Sequence, residues 1–225
     1  MFGDNPIRPP EKGDGLHLMV KQIFKTLQGE GPHVGTPSIF VRLGGCNLAC
    51  DFCDTEFENF KKISTESIIE QVNTLSLNNE NTRSINLVVI TGGEPFRQSI
   101  SKLCERLLEE KFAVQIETNG TIYREVLPEV NIVCSPKVVN GKYLKVREDL
   151  LKRITAFKFL ISTQKIEYSL VPNLGQSTYN IPVFVQAMDE LNNDINIANK
   201  KLAVEIAINN GYRLSYQIHK ELRIE

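Results

Sequence analysis

Short apolar runs alternate with amphipathic segments along most of this chain. The apolar runs predict strands at Val20–Thr26, Ser38–Leu43, Asn86–Ile90, Phe112–Glu117, Val130–Cys134, Phe157–Ile161 and Val183–Gln186. Between them, apolar residues three and four positions apart predict helices that start near Thr65 and cover Ser99–Lys111 and Asn193–Asn210. Continuous apolar strands that alternate with helices indicate a parallel sheet covered by helices.

The length of the chain narrows this architecture. A complete eight-fold β/α barrel typically needs about 250 residues, whereas this chain has 225. We therefore predict an α/β fold of the partial (β/α)6 barrel type with parallel strands, in a single domain over residues 1–225. The segment Met1–Gly15 is rich in Gly, Pro and charge, and is expected to form a loose N-terminal arm.

Polar motifs follow directly after several of the predicted strands. They are the cysteine-containing loop after Leu43, then Thr91–Pro95, Glu117–Gly120, Ser135–Lys137 and Gln186–Asp189. In parallel α/β folds, ligands bind at the carboxyl ends of the strands. The sequence therefore predicts that these five segments meet in one binding site.

The first of these segments contains three cysteines in the spacing C-x3-C-x2-C, namely Cys46, Cys50 and Cys53. Three thiolates on one short loop can hold a single metal centre. A 4Fe–4S cluster is usually held by four cysteines, so a loop that supplies three leaves one iron open to another ligand. An enzyme that binds and reduces a molecule at its cluster needs such an open position.

Other interpretations of these motifs are available. A structural zinc site usually takes four ligands, and a second cysteine pair is lacking here, although Asp51 or Asp54 could contribute. The Cys50–Cys53 pair could also be a thioredoxin-type redox motif, but Cys46 would then have no role. Taken alone, Gly92–Pro95 could be an ordinary turn from a strand into a helix, with glycines that allow close backbone approach to a ligand.

Composition excludes several classes of function. The net charge is −1, with 41% hydrophobic and 24% charged residues, so the chain lacks the basic field that indicates binding to nucleic acid. It also lacks an apolar run near the roughly 20 residues that cross a bilayer. An odd number of cysteines without a secretory leader argues against disulfides and for the cytoplasm. Cys104 and Cys134 lie in apolar segments and are expected to be buried core thiols.

The three-cysteine loop together with Gly92–Pro95 resembles the radical S-adenosylmethionine (radical SAM) enzymes. Further motifs make the resemblance more specific: Leu27–Gly31, Arg42, Cys53–Thr55, Ser135–Lys137, Gln186–Asp189 and the terminal segment from Arg213 to Lys220. From about residue 20 to the C-terminus, the chain is similar to the 7-carboxy-7-deazaguanine synthase family. That family belongs to queuosine precursor biosynthesis, a tRNA-modification pathway.

The resemblance implies a role for each matching residue. Cys46, Cys50 and Cys53 would hold one 4Fe–4S cluster per chain, Thr55 would bind Mg²⁺, and no side chain would be a catalytic acid or base, because the cluster and SAM generate the radical. The SAM contacts would be Gly93, Glu117, Ser135, Pro136, Lys137, Gln186, Ala187, Met188 and Asp189. The substrate contacts would be Leu27, Gln28, Gly29, Glu30, Arg42, Thr91 and His219. Residues 211–225 would close over the substrate; the resemblance assigns no role to the terminal Glu225.

The resemblance also implies a reaction and partners. The reaction would be that of a carbon–nitrogen lyase, which converts 6-carboxy-5,6,7,8-tetrahydropterin to 7-carboxy-7-deazaguanine by radical ring contraction with loss of ammonia. A flavodoxin-type reductase and a homodimer would accompany it, without nucleic acid or a membrane. Two alternatives stay open: another small radical SAM enzyme, such as a glycyl-radical activase, and a non-enzymatic structural metal-binding module.

Overall fold

One mixed sheet organises the computed structural model, which describes residues 5–224. The strands are β1 His17–Leu27, β2 Pro37–Leu43, β3 Lys61–Ser64, β4 Leu87–Gly92, β5 Ala113–Thr118, β6 Asn131–Cys134, β7 Val138–Val139, β8 Lys142–Tyr143, β9 Ala156–Ile161, β10 Val183–Ala187 and β11 Arg213–Ser215. β7 and β8 form a separate hairpin, and the other nine strands form the sheet. The helices are α1 Thr65–Leu75, α2 Ser101–Glu109, α3 Glu148–Leu151, α4 Gln176–Tyr179, α5 Asn193–Asn210 and α6 Ile218–Leu222. Met1–Asp4, at the start of the expected arm, and Glu225 lie outside the described residues.

The order of strands in this sheet is β11-β10-β9-β6-β5-β4-β2-β1-β3. All neighbouring pairs from β2 to β11 are parallel. Six of these strands, β2, β4, β5, β6, β9 and β10, lie side by side in chain order, as expected for a six-unit β/α barrel. The prediction of an α/β fold of the partial barrel type is therefore confirmed.

The edge formed by β1 and β3 differs from the predicted all-parallel sheet. β1 pairs antiparallel with both β2 and β3. The loop 28–36 between β1 and β2 is shorter than the dozen or more residues that a parallel crossover requires, so the chain must turn back on itself. As a result, this loop lies at the start of β2, where Leu27 pairs with Pro37, and Gln28, Gly29 and Glu30 of the loop line the cavity described below.

Buried apolar faces attach the helices to the sheet. Ser64 caps α1 by accepting a hydrogen bond from the Ser67 backbone N–H at 3.2 Å, and Ile68 and Val72 of that helix are fully buried. Helix α5 spans the predicted residues and ends at Gly211, whose φ of 67° stops the helix. Cys104 and Cys134 are buried in the core, as the sequence predicted. Among residues 5–224, no helix is long and apolar enough to cross a membrane.

Two glycines allow the end of β4 to pack against the chain that follows β2. Gly92 has a φ of 118°, and a Cβ placed on it would lie 2.1 Å from the Leu43 carbonyl oxygen. A Cβ on Gly93 would lie 2.0 Å from the Gly45 carbonyl oxygen. These positions therefore need glycine because two backbone segments approach each other closely, in addition to any approach to a ligand.

We predict that Gly92→Ala destabilises the fold by at least about 2 kcal/mol, because it combines a strained positive φ with a backbone clash. The matched control is Gly13→Ala, since a Cβ there has nothing within 4 Å. Urea unfolding should show a lower midpoint for Gly92→Ala and an unchanged one for Gly13→Ala. Equal midpoints for the two variants would show that the β4–β2 contact tolerates a side chain.

Candidate active site

A cavity of about 530 Å³ opens at the carboxyl ends of the parallel strands. It is lined by Leu27, Gln28, Gly29, Glu30, Arg42, Cys46, Cys50, Cys53, Thr55, Thr91, Gly93, Glu117, Ser135, Lys137, Gln186, Ala187, Met188, Asp189 and His219. These are all of the site residues predicted from sequence except Pro136, which is buried but is not part of the lining. The five polar segments therefore meet in one place, as their positions after the strands predicted.

The cysteine loop begins where β2 ends and is held by backbone contacts. Gly44 N–H donates to the Met19 carbonyl at 2.9 Å, and Glu94 N–H donates to the Gly45 carbonyl at 3.1 Å. The Cys46 sulfur accepts a hydrogen bond from the Leu48 N–H at 3.5 Å. The loop is thus fixed to β1 on one side and to the Gly92–Pro95 turn on the other.

Residues 5–15 of the expected arm are held in place rather than loose. Ile7 forms a parallel bridge with Cys46, and the Arg8 N–H donates to the Cys46 carbonyl at 2.7 Å. Asn5 Nδ2 donates to the Thr55 carbonyl at 2.9 Å, and Glu11 accepts from the buried Arg97 at 2.8 Å. Composition could not reveal this, because the contacts are made to loops 40 to 90 residues away along the chain.

The thiols of Cys46, Cys50 and Cys53 all line the cavity. Burial raises the pKa of Cys46 to about 12 and also raises the pKa of Cys50 and Cys53, so a cationic centre is needed to keep them as thiolates. Among residues 5–224, no three His, Cys, Asp or Glu side chains are arranged to hold one metal ion. Three partly or fully buried thiols on one loop are suited to a cationic metal centre such as a 4Fe–4S cluster.

Glu94 is fully buried and joins the ends of two strands. Its Oε1 accepts from the Phe96 N–H at 3.0 Å and from the Thr118 hydroxyl at 2.8 Å, and its Oε2 accepts from the Asn119 N–H at 2.8 Å. Burial raises the pKa of Glu94 to about 7, although these hydrogen bonds lower it. The sequence assigned no separate role to this residue, whose position holds the Gly92–Pro95 turn against β5.

The residues expected to contact SAM are partly bound to one another. Lys137 Nζ donates to the carbonyl and the hydroxyl of Ser135 at 2.7 and 2.6 Å, and burial lowers the pKa of Lys137. Gln186 Oε1 accepts from the Ser215 hydroxyl at 2.7 Å, which ties β10 to β11. This side of the cavity is therefore preformed, with an ammonium group close to the cysteine loop.

The residues expected to contact the substrate lie on β2, on β4, at the end of β1 and in the loop after it, and on α6. Arg42 and Thr91 are direct neighbours in the β2–β4 register, and both line the cavity. The Arg42 guanidinium lies 4.9 Å from the centre of the Phe24 ring, which orients it by a cation–π contact. A planar cation held in this way can bind a carboxylate with two hydrogen bonds.

Lys158 forms a buried ionic network that the sequence analysis missed. Its ammonium lies 2.5 Å from Glu30 Oε2 and 2.9 Å from Glu117 Oε2, and its side chain is 7% exposed. Gln217 Nε2 donates to the other oxygen of Glu30 at 2.7 Å, and Gln115 Nε2 donates to Glu117 at 2.7 Å. Glu117, which was expected to contact SAM, thus shares a lysine with Glu30, which was expected to contact the substrate.

The network balances strong desolvation against strong attraction. Burial would raise the pKa of Glu30, but Lys158 and Gln217 lower it to about 2. Burial lowers the pKa of Lys158, but the two carboxylates raise it above its usual value. Burial and the charge of Glu30 raise the pKa of Glu117. Glu30 and Lys158 are therefore charged, and of the two carboxyl groups in this network Glu117 takes a proton more readily.

The C-terminal segment covers the cavity from outside. The Ile218 N–H donates to the Gly29 carbonyl at 3.2 Å, and His219 packs so closely on Gly29 that a Cβ there would lie 2.0 Å from His219 Nδ1. Lys220 Nζ donates to Asp54 at 2.7 Å and to Asp189 at 2.8 Å, and so links the cysteine loop to the end of β10. Burial lowers the pKa of His219, so the imidazole is less readily protonated.

Several lining residues were not predicted, and their sequence signals differ in strength. Lys158 interrupts the apolar run of β9, and a charge inside such a run signals a buried partner or a site. Asn119 belongs to a polar motif already placed at a strand end. Gln217 and Lys220 lie in the terminal segment that the resemblance placed over the substrate, but neither was given a role of its own, because only the return of the chain after β11 brings them to the cavity.

The structure is a partial β/α barrel in which three cysteines and the Gly92–Pro95 turn meet at one cavity. This arrangement defines an enzyme of the radical SAM superfamily, and residues 40–132 match that superfamily. The chain is 60% identical over its full length to 7-carboxy-7-deazaguanine synthase of Rickettsia prowazekii (strain Madrid E), covering 96% of that protein. It is 38% identical to the enzyme of the same name from Rhodospirillum rubrum, and each chain is covered completely. The chain therefore belongs to the 7-carboxy-7-deazaguanine synthase family.

A solved structure supports the same assignment. The crystal structure of QueE from Escherichia coli superposes with a TM-score of 0.70 and 25% sequence identity. The superposition covers 89% of this chain and 94% of the other. The two chains thus share the arrangement of strands, although most of their residues differ.

We predict that Lys158→Met destabilises the fold by about 3–5 kcal/mol at neutral pH, because it leaves two buried carboxylates without a cation. The loss should be smaller at pH 5, where the carboxyl groups protonate more readily. The control is Lys152→Met, which breaks an exposed pair with Glu148 and should leave the urea midpoint nearly unchanged. Equal stability of Lys158→Met and the wild type would show that the carboxylates are solvated.

Proposed function

We propose that this protein converts 6-carboxy-5,6,7,8-tetrahydropterin to 7-carboxy-7-deazaguanine with loss of ammonia, and that it is a carbon–nitrogen lyase. The observation that carries the proposal is the meeting of the cysteine loop, the Gly92–Pro95 turn and Arg42 in one cavity. Identity of 60% over the whole chain to a protein named 7-carboxy-7-deazaguanine synthase supports the same reaction.

The cofactors of the proposed reaction are a 4Fe–4S cluster and SAM, held at the cysteine end of the cavity. When bound, they supply a 5′-deoxyadenosyl radical that takes hydrogen from C6 of the pterin. Cys46, Cys50 and Cys53 would hold the cluster, and because they supply three thiolates, one iron would be available to SAM. The backbone of Gly93 and the residues Ser135–Lys137 and Gln186–Asp189 hold and orient SAM.

The other end of the cavity suits a carboxylated pterin. Arg42 binds the substrate carboxylate, since its guanidinium is oriented by Phe24 beside Thr91. Gln28 and Glu30 face the amino-pyrimidinone ring, whose edge carries N–H donors and a carbonyl acceptor. Lys158 keeps Glu30 ionised as an acceptor. Residues 217–224 exclude water by covering this end.

Mg²⁺ is proposed to bind at Thr55, which lines the cavity beside the cysteine loop. The Thr55 hydroxyl lies 3.3 Å from Asp54 Oδ1, so hard oxygen donors are available there. Mg²⁺ is often held by few protein groups together with substrate and water oxygens. The ion and Arg42 would then share the substrate carboxylate and fix it for the radical reaction.

The proposed partners are a flavodoxin-type reductase and a second copy of the chain. Reductive cleavage of SAM requires a potential near the low end of the roughly −700 to +450 mV range of Fe–S clusters, which calls for a low-potential donor. The outer face of α5 supports a homodimer, because Ile197, Val204 and Ile208 are 43%, 41% and 76% exposed.

Anaerobic reconstitution tests the reaction. The protein is loaded with iron and sulfide and then given dithionite, SAM, Mg²⁺ and 6-carboxytetrahydropterin, and 7-carboxy-7-deazaguanine is measured by mass. We expect product from the wild type and none from Cys50→Ala, since a loop with two cysteines cannot hold the cluster. Cys104→Ala is the matched control, because this core thiol lies outside the cavity and its loss should leave turnover intact.

Each other outcome rejects a different part of the proposal. Release of 5′-deoxyadenosine without the deazaguanine would keep radical SAM chemistry and reject the substrate, as for an activase of another protein. Zinc in place of iron and sulfide, without either product, would reject the enzyme and leave a structural metal-binding module.

The Mg²⁺ proposal predicts that Thr55→Val, which removes the hydroxyl but keeps the shape, raises the Mg²⁺ concentration needed for half-maximal turnover at least about tenfold. Thr74→Val on the exposed side of α1 is the control. An unchanged Mg²⁺ dependence in Thr55→Val would exclude the hydroxyl as a ligand.

A further inference from the structure

Asn119 follows β5 and reaches the cysteine loop with its side chain. Its Nδ2 lies 3.8 Å from the Cys46 sulfur and 3.1 Å from Asn47 Oδ1. An amide nitrogen carries two hydrogens, so it can donate to both of these acceptors at once. The sequence placed Asn119 in a polar motif at a strand end without a role of its own.

The orientation of the Asn119 amide is determined by its neighbours. Its Oδ1 accepts from the Thr121 backbone N–H at 3.0 Å and from the Thr121 hydroxyl at 2.6 Å. A backbone N–H can only donate, so the oxygen of the amide must face Thr121. The N–H groups of Asn119 must therefore face Asn47 and Cys46.

The same residues form a closed network that keeps this orientation rigid. The Asn47 amide donates to the Thr121 hydroxyl at 2.8 Å, so the hydroxyl both donates and accepts. The Asn119 backbone N–H is bound to the buried Glu94 carboxylate at 2.8 Å. Asn119 is thus fixed through both its backbone and its side chain, with a positive N–H dipole directed at Cys46.

A hydrogen bond to a cluster thiolate has a definite consequence for reduction. Reduction adds one electron, and hence one negative charge, to the cluster and its sulfurs. An N–H donor stabilises the more negative state more strongly, so it raises the reduction potential. The Leu48 N–H, at 3.5 Å from the same sulfur, acts in the same direction.

We propose that Asn119 is a positioning residue that acts through Cys46, raises the reduction potential of the cluster and so eases its one-electron reduction by a low-potential donor. Neither a proton nor a covalent bond is involved. The inference rests on the proposed function, because it requires a cluster on Cys46. It assigns Asn119 to the electron-accepting step rather than to binding of the pterin.

The test is a redox titration of the reconstituted wild type and its variants, followed by the EPR signal of the reduced cluster. Asn119→Ala removes the donor, and Asn119→Asp keeps the contacts to Thr121 but places an oxygen next to the sulfur. Thr121→Val removes the orienting hydroxyl and keeps the backbone N–H. Asn86→Asp is the matched control, since this exposed residue precedes β4 at the opposite end of the sheet.

We expect the midpoint potential to be highest in the wild type and to decrease through Thr121→Val and Asn119→Ala to Asn119→Asp. Asn86→Asp should have the same midpoint as the wild type. If Asn119→Asp fails to hold a cluster, the ordering of the other variants decides. Wild-type midpoints in Asn119→Ala and Thr121→Val, at equal iron and sulfide content, would overturn the inference.

The proposed function is judged separately in the same preparation. A wild type that holds a cluster and makes the deazaguanine, with variants that keep its midpoint, would reject only the role of Asn119. A wild type without iron and sulfide would reject the proposed function and the inference together. A merely structural role would lower the thermal stability of Asn119→Ala and leave its midpoint unchanged.

Discussion

The buried carboxylate of Glu94 holds together the parts on which this site depends. It receives hydrogen bonds from the turn after β4 and from the backbone at the end of β5, so these two strand ends cannot separate. Gly93, just before it, lies against Gly45 of the cysteine loop. One desolvated group therefore fixes the turn, the loop that carries Cys46 and the position of Asn119. A buried acceptor with three donors allows little movement, because each lost hydrogen bond would leave a buried polar group without a partner, and water cannot replace that partner in the core.

The cavity is lined by groups of different chemistry. Three cysteine thiols line it together with Arg42 and with the ionic network of Lys158, Glu30 and Glu117. Lys220 forms ion pairs with Asp54 and Asp189 on the outer side of the cavity. Groups that can bind a substrate through its polar atoms therefore line the same cavity as the three cysteines, and residues of the same chain cover it from outside.

Much of the fold and many site positions could be predicted because they depend on local patterns. The apolar runs located the parallel strands, and strand order placed the polar motifs at one edge, where all but Pro136 of the predicted residues line the cavity. Three features were not anticipated. The antiparallel β1 follows from the length of a loop, the ordered residues 5–15 from contacts with distant loops, and the short β11 and α6 span too few residues to show a period.

The sequence alone determined the chemistry available to this protein: three thiols on one loop, glycines before Glu94 and an arginine, Arg42, near the end of an apolar strand. These depend on residue type and spacing, which a chain carries whether or not it is folded. Only the tertiary structure decided which charges meet. Lys158 could pair with Glu30 and Glu117, and Asn119 with Cys46, because the fold brings segments far apart in sequence together around one cavity. Burial then made those pairings strong, since desolvated charges and dipoles interact with little competition from water.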